Sequence, residues 1–182
     1  ADTATYGKMV LEKYYDQDSP TWSEDIRYDT EYRSRDIHIQ GVPVTGFIDR
    51  VDKKDHSIVV YDYKSGKTDK FREKLKAPDD KSNGGDYWRQ MVFYDLMLIQ
   101  DPKYHTHMDH GWLQALEPEK DGTFKQHKVV VTTEDREIVT RQIVDTYQKI
   151  QNMEFNTGCG KCQWCEMHGI VAIPADAEEQ GD

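Results

Sequence analysis

The sequence predicts an α/β fold with a mixed central sheet and flanking helices. Apolar residues recur at helical spacing within residues 5–15, 86–100 and 134–153, which is typical of amphipathic helices. Within residues 25–63 and 107–132 the apolar period changes to two, which is typical of strands. The resulting order α–β–β–β–β–α–β–β–α is not a regular βαβ winding and therefore indicates a mixed sheet.

The predicted helices have recognisable ends. Asp18, Ser19 and Pro20 end the first helix. Thr133 is expected to cap the last helix. The inward-facing residues of that helix are predicted to be Val139, Ile143, Tyr147 and Ile150. The middle helix shows the clearest apolar stripe, which consists of Trp88, Met91, Val92, Leu96 and Ile99.

Six strands are predicted from the alternating segments, at residues 25–33, 35–40, 43–52, 57–63, 107–117 and 124–132. Gly41 marks one turn between strands, and Lys53–His56 marks another. Segment 57–63 is rich in β-branched and aromatic residues, so it is expected to be a central strand. Residues 66–85 are predicted to form a long loop with a short helix near 70–76, and loops of this length are often functional.

Composition narrows the class of protein. The 182 residues suit one domain, and 36 % hydrophobic with 11 % aromatic residues indicates a folded chain. No apolar run reaches about 18 residues, so no membrane span is expected, and no signal peptide is visible. The three cysteines, Cys159, Cys162 and Cys165, lie within seven residues, which favours a reducing cytoplasm over a disulfide framework. The chain begins without methionine and is expected to be part of a longer one.

Charge is unevenly distributed along the chain. There are 34 acidic and 24 basic residues, a net charge of −10, which argues against wholesale coating of nucleic acid. Residues 64–76 (the basic stretch) nevertheless contain six basic residues and two acidic ones. Residues 175–182 contain four acidic residues. They are predicted to form a disordered tail, which leaves residues 1–174 as one domain.

Charged residues are predicted to converge at the hairpin between the third and fourth strands. Alternation puts Asp62 and Lys64 on one face, and Asp49 is expected across the hairpin. Two carboxylates suit Mg²⁺ or Mn²⁺, and the backbone carbonyl of Tyr63 is a further candidate ligand. Such a metal activates a water, and Lys64 is suited to position that water or to stabilise charge on a phosphate. An acidic hairpin with a lysine is more often a solvated surface, so the cluster alone leaves both interpretations open.

Three further residues also have two interpretations each. Gln90 and Tyr94 are four residues apart on the predicted middle helix, so they share one face. The alternative is that Tyr94 packs in the core while Gln90 is exposed. Glu31 adds an acid on the first strand, where a surface position is the ordinary interpretation.

Three motifs in order carry a family resemblance: G-F-I-D-R-V-D at 46–52, V-V-Y-D-Y-K-S-G-K at 59–67 and Q-M-V-F-Y at 90–94. Together they resemble the RecB-like branch of the PD-(D/E)XK nucleases, whose pattern is G-x-x-D, then D-x-K-(T/S)-G, then Q-x-x-x-Y. The residues around Gln90 are similar to the C-terminal nuclease domain of bacterial UvrD-type or AddA-like helicase–nucleases. The matched span covers residues 29–94.

The resemblance implies a PD-(D/E)XK (restriction-endonuclease-like) core and assigns roles to residues. Asp49, Asp62 and Lys64 correspond to the active-site acids and lysine, while Gln90 and Tyr94 correspond to residues that help to hold the substrate. Glu31 corresponds to an acid often found on the first core strand. The basic stretch, with Lys67 as a substrate-binding residue, is expected to follow the DNA backbone.

The function implied is Mg²⁺- or Mn²⁺-dependent hydrolysis of DNA phosphodiester bonds. The chain is expected to be the exonuclease module of a helicase–nuclease in DNA repair or recombination, with helicase domains in the same parent chain or in a partner subunit. The chain departs from the family pattern at one upstream motif. Relatives carry G-x-x-x-H on a helix before the first strand, but here Leu11 stands four residues after Gly7, at the position of the histidine. The helix that carries this histidine is expected in a longer parent chain. The alternative is a non-cleaving module that binds DNA ends or docks a subunit.

The cysteines depart from the family pattern. Some relatives bind an iron–sulfur cluster through an upstream cysteine and a late C-x-x-C-x-x-x-x-x-C; Cys162 and Cys165 fit, but the third position is Val171. A zinc site from Cys159, Cys162, Cys165 and His168 would crowd four ligands into ten residues. Neither cofactor is expected, and reduced thiols are predicted to hold the C-terminal segment to the core. The incomplete cysteine set also disfavours a stand-alone CRISPR-associated RecB-like nuclease.

Overall fold

A five-stranded mixed sheet lies within residues 1–141. The computed structural model describes residues 2–66, 68, 71–80, 82–154, 158, 160 and 162–167. The strands are β1 (Arg27–Ile39), β2 (Val42–Lys54), β3 (Ser57–Lys64), β4 (His110–Ala115) and β5 (Gln126–Val129). Their order in the sheet is β1-β2-β3-β4-β5. The β3–β4 pair is parallel and the other pairs are antiparallel, which confirms the predicted mixed sheet.

Helices connect and flank these strands. They are α1 (Thr3–Asp18), α2 (Phe71–Lys74), α3 (Asp86–Gln100), α4 (Thr133–Gln151) and α5 (Gln163–Met167). The bounds of α3 agree with the prediction, and α2 lies inside the predicted long loop. A 3₁₀ turn, Ser19–Thr21, follows α1 at the predicted break. Among the described helices, none combines the length and the apolar composition that crossing a bilayer requires.

The prediction of two strands at residues 25–33 and 35–40 was wrong, because β1 runs through both. The pairing of β1 with β2 shifts by one residue between Ser34 and Ile37, and Asp36 has a φ of 58°. One extra residue in β1 is therefore a β-bulge. A bulge reverses the phase of the alternation, which in the sequence resembles the end of one strand and the start of another.

The start of α4 differs from the prediction by one residue. The hydroxyl of Thr132 accepts the N–H of Asp135 at 3.1 Å, and the Asp135 carboxylate accepts the N–H of Thr132 at 2.8 Å. This reciprocal pair is a capping box, so Thr132 caps the helix and Thr133 is its first residue. Along α4, Val139 is buried as predicted, whereas Ile150 is 50 % exposed.

Helix α3 packs closely against the sheet because glycines face it. A Cβ on Gly46 would lie 2.9 Å from the Met97 side chain, and one on Gly111 would lie 2.7 Å from Met91 Sδ. Both methionines are fully buried, and burying such a side chain contributes about 1.5–3 kcal/mol. The close approach fixes the polar residues of α3 relative to β3.

Backbone contacts divide the chain into two units, Ala1–Arg141 and Gln142–Asp182. The first contains the sheet. In the second, Cys162 Sγ lies 3.6 Å from Cys165 Sγ, and Cys165 is buried. Cys159, His168, Val171, the predicted domain end at 174 and the predicted tail at 175–182 lie outside the described residues.

Candidate active site

The candidate site lies where β2 and β3 separate. Their ladder ends at the Arg50–Tyr61 pair. One step beyond, the backbone N–H of Tyr63 donates to Asp49 Oδ2 at 2.7 Å, so a carboxylate replaces a backbone acceptor. This hydrogen bond holds Asp49 against the segment that carries Asp62, which is the position expected of a residue on the preceding strand of the hairpin.

Asp62 is a buried carboxylate beside an ammonium group. The residue is 1 % exposed, and its Oδ2 lies 2.6 Å from Lys64 Nζ. Burial raises the pKa of Asp62 above its ordinary value; Lys64 opposes this rise, and the charge of Asp49 adds to it. The site therefore favours a cation at the Asp62 carboxylate.

Gln90 and Tyr94 join Asp62 and Lys64 in a closed ring of contacts. Lys64 Nζ donates to Gln90 Oε1 at 2.7 Å, and Gln90 Nε2 donates to the Tyr94 hydroxyl at 2.8 Å. The Tyr94 hydroxyl donates to Asp62 Oδ1 at 3.0 Å, and burial raises the Tyr94 pKa, which keeps that proton in place. The ring fixes both Asp62 and Lys64. Tyr94 is thus buried, as its ordinary interpretation required, and is also part of the polar cluster.

The second oxygen of Asp62 distinguishes this cluster from a solvated surface pair. Oδ2 is buried and has no hydrogen-bond partner among the described residues, although the Lys64 ammonium is its ion-pair neighbour. Burying a carboxylate carries a desolvation cost even when an ammonium group pairs with it. The carboxylate oxygen is also a hard donor of the kind that Mg²⁺ or Mn²⁺ prefers.

The donor set fits a hydrated divalent cation. Within the described ranges, no group of three or more His, Cys, Asp and Glu residues is arranged to hold a metal. Mg²⁺, however, usually keeps several waters and is held by only one or two carboxylates. Asp49 accepts from the backbone N–H of Tyr63, the residue that follows Asp62, so Asp49 and Asp62 supply that number.

Comparison with known proteins identifies the family. A sequence model of the PD-(D/E)XK nuclease superfamily matches residues 4–170. The chain belongs to the PD-(D/E)XK nuclease superfamily. Membership implies binding and hydrolysis of nucleic acid, and PD-(D/E)XK nucleases generally use divalent metals. Curated proteins gave no match.

Two solved structures are similar to this PD-(D/E)XK chain. The crystal structure of SSO0001 has 17 % sequence identity and a TM-score of 0.46, over 95 % of this chain and 73 % of that one. A candidate exonuclease from Eubacterium rectale has 12 % identity and a TM-score of 0.49, over 93 % of this chain and 73 % of that one.

Two predicted residues are not brought into the ring of contacts. Glu31 lies between the Thr30–Arg50 and Tyr32–Ile48 pairs, level with Asp49. It is exposed, has a φ of 48° and makes no hydrogen bond or ion pair with the described residues. Lys67 lies outside the described residues. The roles of both stay predictions.

Tyr87 is the site residue that sequence reasoning missed. Lys64 Nζ lies 4.6 Å from the centroid of its ring, and Lys74 Nζ lies 4.5 Å from it. Tyr87 precedes Gln90 by three residues on α3, and residues so spaced share a helix face. That spacing was the available signal. In the sequence, Lys74 is distinguished only as one charge of the basic stretch.

The second acid of the G-F-I-D-R-V-D motif has a different place. Asp52 accepts from Arg50 Nε at 2.6 Å and from Arg50 Nη2 at 2.7 Å. The Arg50 guanidinium also stacks over the rings of Tyr28 and Tyr61, at 4.8 and 4.4 Å. Asp52 is thus engaged in a buried ion pair that supports the strands beside the candidate site.

Proposed function

We propose that this chain is a Mg²⁺- or Mn²⁺-dependent deoxyribonuclease that hydrolyses phosphodiester bonds. Asp49 and Asp62 are the proposed metal ligands, with the Tyr63 carbonyl as a further ligand, and Lys64 is the proposed catalytic lysine. The observation that carries the proposal is the buried carboxylate of Asp62, whose Oδ2 lies 2.6 Å from the Lys64 ammonium. Family membership supports hydrolysis of nucleic acid.

The chain's own residues account for the proposed chemistry. A bound divalent cation supplies a water of lowered pKa and offsets charge on the phosphate. Tyr94 holds Asp62 in place through its hydroxyl, and Gln90 holds the Lys64 ammonium. A fixed ammonium stabilises developing charge without reorganisation at the moment of reaction. Gln90 and Tyr94 therefore act as positioning residues that also border the substrate.

The finer identity rests on the sequence motifs. The G-x-x-D, D-x-K-S-G and Q-x-x-x-Y pattern supports a RecB-like exonuclease module of a helicase–nuclease in DNA repair or recombination. Helicase domains in the same parent chain or in a partner subunit are its proposed partners. The basic stretch, including Lys67, is proposed to contact the DNA backbone, since phosphate contacts supply most non-specific affinity. A cytoplasmic location stays a prediction from the cysteine content.

Cleavage of linear labelled DNA in Mn²⁺ tests the proposal. Asp62→Asn and EDTA are both expected to abolish cleavage. Asp55→Asn is the matched control, because Asp55 is an exposed acid in the turn of the same hairpin and its φ of 54° suits asparagine. Cleavage that survives EDTA or Asp62→Asn overturns the proposal. Binding of DNA ends by a folded protein that does not cleave them would favour the non-cleaving module.

A further inference from the structure

Two lysine ammonium groups share one tyrosine ring at the edge of the site. The Nζ atoms of Lys64 and Lys74 lie 4.6 and 4.5 Å from the Tyr87 centroid. Both are within the roughly 6 Å over which an aromatic ring attracts a cation. Tyr87 therefore connects Lys74 to the predicted catalytic lysine.

The two lysines differ in how their charges are balanced. Lys64 is paired with Asp62. Lys76, two residues beyond Lys74, is paired with Glu73 at 2.7 Å. Within the described part of the chain, Lys74 has no acidic partner. Two positive charges on one ring repel each other, and an anion between them relieves that repulsion.

Lys74 is held in place by the backbone around it. A Cβ on Gly85 would lie 2.1 Å from the Lys74 carbonyl oxygen, so only glycine allows this close approach. The Gly85 N–H also donates to the Lys76 carbonyl at 2.8 Å. Phe71, at the start of α2, is 1 % exposed and meets the Tyr87 ring edge to face at 5.4 Å. The position of Lys74 relative to Tyr87 is therefore preorganised, which lowers the cost of binding.

From this arrangement we infer that Lys74 and Tyr87 form a second phosphate subsite beside Lys64, an inference that rests on the proposed nuclease function. The Lys74 ammonium binds the non-bridging oxygens of a phosphate next to the scissile one. Tyr87 is a positioning residue that keeps the two ammonium groups apart and aimed at successive phosphates. The substrate is thereby held as a strand that passes from Lys64 to Lys74.

The test is the salt dependence of binding to a short, labelled single-stranded oligonucleotide in EDTA, followed by fluorescence anisotropy. Each phosphate contact on a single strand contributes about 0.7 to the slope of log affinity against log salt. Lys74→Gln is expected to weaken binding and to reduce that slope by about 0.7. The matched control is Lys54→Gln. Lys54 is an exposed lysine on β2, and it lies opposite Ser57, the first residue of β3. Ser57 is about 23 Å along β3 from Lys64.

Tyrosine variants test the role of the ring. Tyr87→Phe keeps the aromatic face but removes the hydroxyl that accepts from Lys74 Nζ at 3.5 Å, so its slope is expected to lie between that of the parent and that of Tyr87→Leu. Tyr87→Leu is expected to lose the same slope as Lys74→Gln. Equal slopes for Lys74→Gln and Lys54→Gln overturn the inference, as does an undetectable affinity of the parent protein at low salt. The measurement needs no cleavage, so its failure is distinguishable from failure of the proposed function. If the parent protein cleaves DNA in Mn²⁺ but Lys74→Gln and Tyr87→Leu leave the salt slope unchanged, the protein is a nuclease without this subsite.

Discussion

At the scale of single residues, the site depends on one carboxylate kept where water cannot reach it. Asp62 is 1 % exposed, and its Oδ2 is paired with the Lys64 ammonium at 2.6 Å. A polar group buried in this way costs free energy of folding. The proposed function requires an acid at this position, so stability and activity are expected to conflict there.

Asp62→Asn is expected to raise the free energy of unfolding at neutral pH while abolishing cleavage. Because the folded-state pKa of Asp62 is raised above its ordinary value of 3.8, the folded protein binds more protons than the unfolded chain in the window just above 3.8. Ionisation of Asp62 therefore lowers stability as pH rises through that window. Urea unfolding at pH 4 and pH 7 measures this effect, and the gain from Asp62→Asn should be larger at pH 7. A smaller gain, or a loss, at pH 7 would contradict the assignment.

Substitution of Gln90 tests whether this residue positions the Lys64 ammonium. Gln90→Leu removes the acceptor of Lys64 Nζ and the amide that reaches Tyr94. The expected results are a kcat about tenfold lower and a loss of about 1–3 kcal/mol of stability, the cost of leaving buried polar groups unpaired. Steady-state cleavage in Mn²⁺ and urea unfolding measure the two effects. Gln100→Leu, at the exposed end of α3, is the control, and a kcat equal to that of the control would rule out a positioning role.

At the scale of elements, the site exists because two strands separate and a helix approaches closely. The β2–β3 ladder stops at Arg50–Tyr61, and the Asp49 side chain continues it by one contact. Gly111 lets α3 approach β4, since any Cβ there would meet Met91. The end of the β2–β3 ladder and the close approach of α3 involve no proposed catalytic group. Both nevertheless set the positions of the proposed catalytic groups.

Substitution of Arg50 tests whether the Arg50–Asp52 ion pair supports the strands that separate at the site. Arg50→Met leaves the buried Asp52 carboxylate without its bidentate partner. Breaking a buried pair in this way costs about 3–5 kcal/mol. The double variant Arg50→Met with Asp52→Asn is expected to recover part of that loss, because the uncompensated charge is gone. Chemical denaturation of both variants checks this, and a single variant as stable as the parent would show that the pair contributes nothing.

At the scale of the whole molecule, local sequence signals were sufficient for most elements. The predicted loop that ends at residue 85, and Asp18, Ser19 and Pro20 at the end of α1, mark boundaries that the structure reproduces. The signals failed where structure depends on a partner strand. The bulge in β1 is visible only against β2, and α5, which was not predicted, has only five residues.

Most residues of the candidate site were also predictable from the sequence, and those that depend on tertiary contacts were not. Motif spacing placed Asp49, Asp62, Lys64, Gln90 and Tyr94 together. The structure joins the last four in one ring of contacts, and Asp49 accepts from the backbone N–H of Tyr63, next to Asp62. Tyr87 and Lys74 were not predictable as a pair, because the path of the loop from α2 to Gly85 is set by tertiary contacts. The depth at which the Asp62 carboxylate is buried is likewise a property of packing and has no signature in the sequence.

The most direct test of the central claim, that Asp49 and Asp62 hold the catalytic metal, is the shift in melting temperature caused by Mn²⁺. A ligand that binds only the folded state stabilises it according to its concentration over Kd, by about 2.7 kcal/mol at a hundred times Kd. The parent protein and Asp55→Asn are expected to show the same saturable rise in Tm. Asp62→Asn is expected to start from a higher Tm and to show no rise. An equal Mn²⁺-induced rise in Asp62→Asn, or no rise in the parent, would contradict the account.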